Sequence, residues 1–189
     1  MLPLYLASKS ERRFTILKEL GINFTVIPNL LNEETLERKH GRIRNQLKHL
    51  CLRKALHSIN DLKGWLLTAD TIIYFNEMVI GKPQSRTDAI KTLSLLSNQS
   101  HQVITACCLY NTISQKHYFC SDSAEVTFNE LSLDEIKYYI DSKKPFDKAG
   151  SYGIQDIPEG FLKNLKGHYS TVLGLPRPKI KLLLKHIYT

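Results

Sequence analysis

The chain has 189 residues, which against about 100–200 residues per domain leaves room for one domain, or two small lobes around one cleft, and excludes larger modular architectures. At 42% apolar and 23% charged it can build a core, and its longest apolar run, around Trp65 to Phe75, contains Asp70 and falls short of the ~18 apolar residues of a membrane span. Lys and Arg outnumber Asp and Glu by 26 to 18, a formal charge of +8 that favours phosphates, nucleic acids or acidic lipids without choosing among them.

Leu4-Tyr5-Leu6-Ala7 reads as a buried strand, and a helix opens at Ser10 with Phe14, Ile16, Leu17 and Leu20 as its apolar positions and Gly21 as its stop. Residues 23–28 give a second strand. A polar loop carrying Glu33 and Glu34 leads to a long helix over about 42–59. Residues 38–63 hold eight Lys or Arg against one acid, Asp61, for which a solvated helix face is the plain explanation. Residues 65–71, 72–75 and 79–80 are β-prone, with Asn76-Glu77 as a hairpin turn between the last two. An amphipathic helix follows over 87–97, then two long paired strands over 102–110 and 117–128. Ser132 and Glu135 form a capping-box pattern for a helix ending near Ser142. The stretch 144–156 is rich in glycine and polar residues, and a final helix spans about 176–187. Interleaved strands and helices predict an α/β or α+β fold with a mixed sheet and leave its topology open.

Cys51, Cys107, Cys108 and Cys120 lack C-x-x-C spacing, so neither a zinc site nor a disulfide framework is expected. MLPLYLASKSERR has neither a basic n-region nor a cleavage site, and a reduced, soluble, cytoplasmic setting is expected.

Three segments combine chemistry-bearing residues. Leu6 to Arg13 sets Ser8, Ser10, Arg12 and Arg13 where a strand ends and a helix begins. Helix N-terminal amides and arginine forks suit a phosphate there, and two arginines in a first turn oppose the helix dipole unless an anion joins them. An ordinary capped helix with surface arginines is the competing explanation. Asp70 lies in an apolar β-run, where an isolated carboxylate is costly, and twelve residues on Lys82 follows a short strand. The two can be a structural pair, or a carboxylate that holds a hard cation or deprotonates water beside a phosphate-neutralising lysine. Asp147 to Gln155 combines an acid, a lysine, two glycines and an amide, as a ligand-binding loop or a surface turn. His168, between Gly167 and Tyr169, is by itself weak grounds for catalysis. P-loop, G-x-G-x-x-G, H-E-x-x-H and G-x-S-x-G motifs are absent.

In order, LASKSERR, ADTIIYFNEMVIGKP, LSLLSNQSHQVITA, DKAGSYGIQ and GHYSTVLGLP resemble the Maf family, the Maf/Ham1-like nucleotide pyrophosphatases, over nearly the whole chain. The resemblance implies one Maf-like domain over 1–189, with a long twisted mixed sheet and two lobes flanking a central cleft. It implies hydrolysis of nucleoside triphosphates to monophosphate and pyrophosphate with Mg²⁺ or Mn²⁺. By the same similarity Asp70 is the proton acceptor and a metal ligand with Glu33, and Lys82 is catalytic through phosphate contact. Ser8, Arg12, Arg13, Lys54, Thr71 and Gln155 bind substrate. The Gly-Ile-Gln ending at Gln155 is similar to the dTTP/UTP branch, and a glutamine amide can match uracil O4 and N3–H. Lys144, Asn98 and His168 depart from the family's usual residues. The partner implied is a nucleoside triphosphate, with no membrane, and with a homodimer as the assembly to test for. The alternative is a nucleic-acid-binding or septation-regulatory protein without turnover, for which no nucleic-acid motif is present.

Overall fold

The computed structural model describes residues 2–31, 43–59 and 61–188. Among these are seven strands and six α-helices, in the order β1 (Leu4–Ala7), α1 (Glu11–Glu19), β2 (Thr25–Ile27), α2 (Ile43–Leu56), β3 (Trp65–Phe75), β4 (Met78–Ile80), α3 (Arg86–Leu96), β5 (Ser100–Asn111), β6 (His117–Phe128), α4 (Leu133–Lys143), β7 (Leu162–Lys166), α5 (Tyr169–Val172) and α6 (Arg177–Leu184). The strands form one sheet in the order β2-β1-β3-β5-β6-β7, with β4 paired to β3 off that path. β1 runs parallel to β2 and β3, whereas β3–β4 and β6–β7 are antiparallel, so the sheet is mixed as the sequence predicts.

Local signals account for most elements. Asn76 and Glu77 both take positive φ, 46° and 62°, the two-residue turn whose twist matches that of the flanking strands. Ser132 Oγ accepts the Glu135 N–H while the Glu135 carboxylate accepts the Ser132 N–H, completing the capping box that starts α4. Two elements have no counterpart in the sequence reading. β7 has the pattern Leu-Lys-Asn-Leu-Lys, mostly exposed at the sheet edge, and it exists by pairing with β6 across an irregularity between Thr127 and Phe128. α5 is a four-residue turn between Gly167 and Gly174, too short to display a helical period.

The chain divides into two compact units. The first comprises Met1–Asp70, Thr105–Asp122 and Gly174–Thr189. Its core joins Leu6, Leu66 and Leu67 of the sheet to Ile16 and Leu17 of α1 and Leu47 of α2, all essentially buried. The second comprises Thr71–Ile104 and Ser123–Leu173. Leu93 of α3, Ile136 and Tyr139 of α4, Phe128 of β6 and Phe161 pack together there, and Arg86 forks onto both carboxylate oxygens of Asp141 at 2.7 Å to tie α3 to α4. No helix among the described residues is long and apolar enough to cross a membrane.

Candidate active site

The first cluster forms where β1 turns into α1. Ser10 is the N-cap, as the sequence predicts, yet its side chain makes no capping bond. Ser8 Oγ instead accepts the Ser10 N–H at 3.2 Å and Arg13 Nη1 at 3.2 Å, and Arg13 Nε donates to the Gly174 carbonyl at 2.9 Å. Arg13 is therefore held from both sides. Arg12 sits beside it in the first turn, partly exposed, with Glu11 as that turn's acid.

The second cluster follows from matching α2 to β3. Alternation puts Thr68 and Asp70 on one strand face, and helical spacing puts Cys51, Lys54 and Ala55 on one helix face. Thr68 Oγ1 donates to the Cys51 carbonyl at 2.7 Å, and this sets the register. One helical turn on, Lys54 Nζ reaches Asp70 Oδ2 at 2.8 Å, with the two side chains only 12% and 22% exposed. The structural explanation that Asp70 requires is thus an ion pair with Lys54. Cys51 lies under this pair, its Sγ donating to the Ala106 carbonyl. Burial, reinforced by the Asp70 charge, pushes its thiol up, so it acts as a small apolar filler rather than a nucleophile.

Thr71, Lys82 and Gln155 belong to the second unit. Thr71 follows Asp70 and so points to the opposite face of β3, the face that also carries Ile73. A Cβ at Gly150 would lie 2.1 Å from Ile73 Cδ1, and Gly150 has φ +69°, so this position needs glycine on both counts. The Gly150 N–H donates to the Gly81 carbonyl at 2.9 Å, which joins the Gly81-Lys82-Pro83 segment to the Asp147–Gln155 segment. Two motifs that are far apart in sequence are thereby in contact. Lys148 Nζ bonds Asp147 at 2.7 Å and lies 3.9 Å from Asp156, and a Cβ at Gly153 would press on the Asp156 carboxylate at 2.6 Å. The Gly153 N–H donates to Tyr139 Oη at 3.1 Å, and Tyr152 Oη shares a 2.7 Å hydrogen bond with His101 Nε2. Ser151 to Ile154 are buried, and Gln155 emerges exposed.

A family model described as Maf-like protein matches residues 3–187. The chain belongs to the Maf family. Curated Maf relatives include the dTTP/UTP pyrophosphatase of Clostridium perfringens, 38% identical over 177 residues that cover 93% of this chain and 92% of the relative. That of Bdellovibrio bacteriovorus is 38% identical over 187 residues, 96% of each chain. That of Aquifex aeolicus is 37% identical over 183 residues, 96% of this chain and 94% of the relative. A solved nucleoside-triphosphatase / dITP/XTP pyrophosphatase from Mycobacterium abscessus covers 67% of this chain and 74% of its own at TM-score 0.44 and 9% identity, too loose a likeness to bear on the Maf fold.

Of the residues singled out in this Maf sequence, Ser8 and Arg13 are in direct contact, as are Lys54 and Asp70. Lys82 and Gln155 lie on segments joined through Gly81 and Gly150. Glu33 lies outside the described residues. His101, Tyr139 and Asp156 carry no role in the sequence reading. Strand alternation does contain a signal for His101, because it is in phase with the buried Val103 and Thr105 and an inward imidazole needs a partner. Among the described residues no group of three His, Cys, Asp or Glu side chains could by itself hold a metal ion. A single hard carboxylate such as Asp70 nevertheless fits Mg²⁺, which is commonly held by one or two carboxylates together with water and substrate phosphates.

Proposed function

We propose that this Maf-family chain is a pyrophosphohydrolase that converts dTTP and UTP to the monophosphate and pyrophosphate. What carries the reading is 37–38% identity over 93–96% of the chain to relatives named dTTP/UTP pyrophosphatase. The charge arrangement supports it. A triphosphate needs fixed cations, and Arg13 is anchored by Ser8 and the Gly174 carbonyl while Lys54 stands 2.8 Å from Asp70. In this reading Arg12, Arg13, Lys54 and Lys82 neutralise the phosphates and Ser8 fixes the arginine. Asp70 takes the proton of the attacking water as it adds to the α-phosphorus. The α–β phosphoanhydride bond breaks, and its bridging oxygen leaves with pyrophosphate. Lys54, 2.8 Å away, orients Asp70 for that proton. Thr71 and Gln155 contact the base.

Asp70, with Glu33, would hold a divalent cation such as Mg²⁺ or Mn²⁺, which when bound supplies further charge neutralisation on the phosphates. The chain works as one Maf-like domain in a reducing cytoplasm, a setting to which its four free cysteines are suited. The deciding experiment measures pyrophosphate release from UTP, dTTP, CTP, GTP and 7-methyl-GTP, with and without Mg²⁺ and after chelation. Release from UTP and dTTP above the others supports the reading. A purine preference overturns the branch, no release from any nucleotide overturns the activity, and undiminished release after chelation overturns the metal.

A further inference from the structure

Gln155 is exposed, yet the four residues before it are buried, so the backbone that presents its amide is placed by how those four are held. Their deepest attachment is to β5. His101 is 2% exposed, its ring meets Phe128 and Tyr152 edge-on at 5.1 and 5.5 Å, and its Nε2 shares the 2.7 Å bond with Tyr152 Oη. Burial lowers the imidazole pKa to about 4, so the ring is neutral near pH 7 and the bond links two uncharged groups. From the other side, Tyr139 Oη holds the Gly153 N–H. The Gly153 carbonyl then accepts the Asp156 N–H at 2.8 Å, closing a turn with Ile154 and Gln155 at its centre.

This arrangement has a cost that packing alone does not explain. Among the described residues His101 Nδ1 and Ser151 Oγ are buried without hydrogen-bond partners, and Ser151 has φ +62°. A phenylalanine at position 101 would fill the aromatic cluster without an orphaned nitrogen. The one thing it could not do is bond Tyr152.

We propose that His101 is a positioning residue for base selection: through Tyr152 it locks the 151–155 segment so that the Gln155 amide is presented in one orientation. This rests on the reading of Gln155 as the base-contacting residue.

The test uses the full-length chain as wild type, His101→Phe, His101→Gln, Tyr152→Phe, the double variant His101→Phe/Tyr152→Phe, and Gln155→Ala. Two quantities are read: kcat/KM for UTP relative to CTP, and amide hydrogen exchange over 151–156 in the nucleotide-free protein. Tyr152→Phe and His101→Phe should each lower the UTP/CTP ratio about tenfold and speed exchange in the segment at least as much. His101→Gln retains a bonding group near the Nε2 position and should recover much of both. In the double variant both bonding groups are gone, so thermal stability should return toward wild type while the ratio stays low, a separation that a purely structural role does not produce. Unchanged exchange and an unchanged ratio in Tyr152→Phe overturn the positioning role, as does a ratio that recovers with stability in the double variant. If exchange speeds up but Gln155→Ala leaves the wild-type ratio intact, the segment is locked by His101 and it is the reading of Gln155 that fails.

Discussion

The Ser8–Arg13 and Lys54–Asp70 clusters and the segment from Lys148 to Gln155 are held by opposite means. In the clusters, long cationic side chains of α1 and α2 reach short polar partners on or just after the strands, 2.8 Å between Lys54 and Asp70 and 3.2 Å between Arg13 and Ser8. In the segment, the backbone itself is caught at Gly150 by Gly81 and at Gly153 by Tyr139, and the Tyr152 side chain between them is held by His101. A side-chain cluster on finished strands and helices loses one function at a time, because the elements form without it. A backbone-held segment fails as a unit, because each attachment fixes the φ and ψ of its neighbours. Chemistry that tolerates exchange of cations suits the first design, and recognition of one base edge suits the second.

The largest expected effect is in the clusters. Asp70→Asn keeps the size of the side chain and an oxygen for Lys54 but removes the proposed base, so pyrophosphate release should fall at least ~100-fold while the thermal midpoint moves by only a few degrees. A folded Asp70→Asn protein with wild-type turnover would remove Asp70 from the mechanism and make the Lys54 pair purely structural.

The segment is broken most cleanly at Gly150. Gly150→Ala meets both a φ of +69° and the Ile73 Cδ1 atom, whereas Gly21→Ala meets φ +70° with no atom of the described residues within 4 Å. The backbone term should cost about 1 kcal/mol in both, and crowding should bring Gly150→Ala to about 2–3 kcal/mol. Urea unfolding of the two variants reads the difference directly. Equal costs would mean that Ile73 moves aside and that the segment is less tightly held than its contacts imply.

This contrast also explains what was legible in the sequence. Strands β1, β3 and β6, the Asn76-Glu77 turn and the Ser132 capping box announce themselves because local chemistry dictates them, and Asp70 stands out as a carboxylate in an apolar run. Lys54 is marked only by the family resemblance, since nothing in a basic helix says which lysine the Thr68–Cys51 register will carry to Asp70. The attachments of the segment were illegible for the same reason: His101 and Tyr152 are 51 residues apart, and their bond exists only once the sheet is formed. β7 carries no such signal, because an exposed edge strand needs no alternation.

Acid should weaken the segment next. His101 has a folded pKa lowered to about 4 against an ordinary 6.5, so above pH 6.5 the ring is neutral in both states and contributes no pH dependence. As pH falls through 6.5 the unfolded chain takes up the proton first, and stability is lost until the folded ring also titrates near 4. Between pH 7 and 5 this amounts to about 2 kcal/mol. Denaturant unfolding at the two pH values should show that loss in wild type and not in the His101→Phe/Tyr152→Phe double variant, relative to which other titrating groups cancel. Equal losses would place the imidazole in water more often than its burial indicates.

The smallest effect is the most selective. Gln155 is exposed, so the contact proposed between it and a base competes with water and belongs at the low end of the ~1–3 kcal/mol range for a mispaired polar group, about tenfold in kcat/KM. Gln155→Glu replaces a donor opposite uracil O4 by a second acceptor, which should weaken UTP and dTTP. Cytosine carries an amino group at that position and can donate to the new carboxylate, so CTP should hold steady or improve. The UTP/CTP ratio therefore drops by at least about tenfold while CTP turnover persists, and that persistence separates loss of base reading from damage around Asp70. If every nucleotide lost activity alike, the new charge would be acting on the phosphates, and the division of labour between the charged clusters and the backbone-held segment would be wrong.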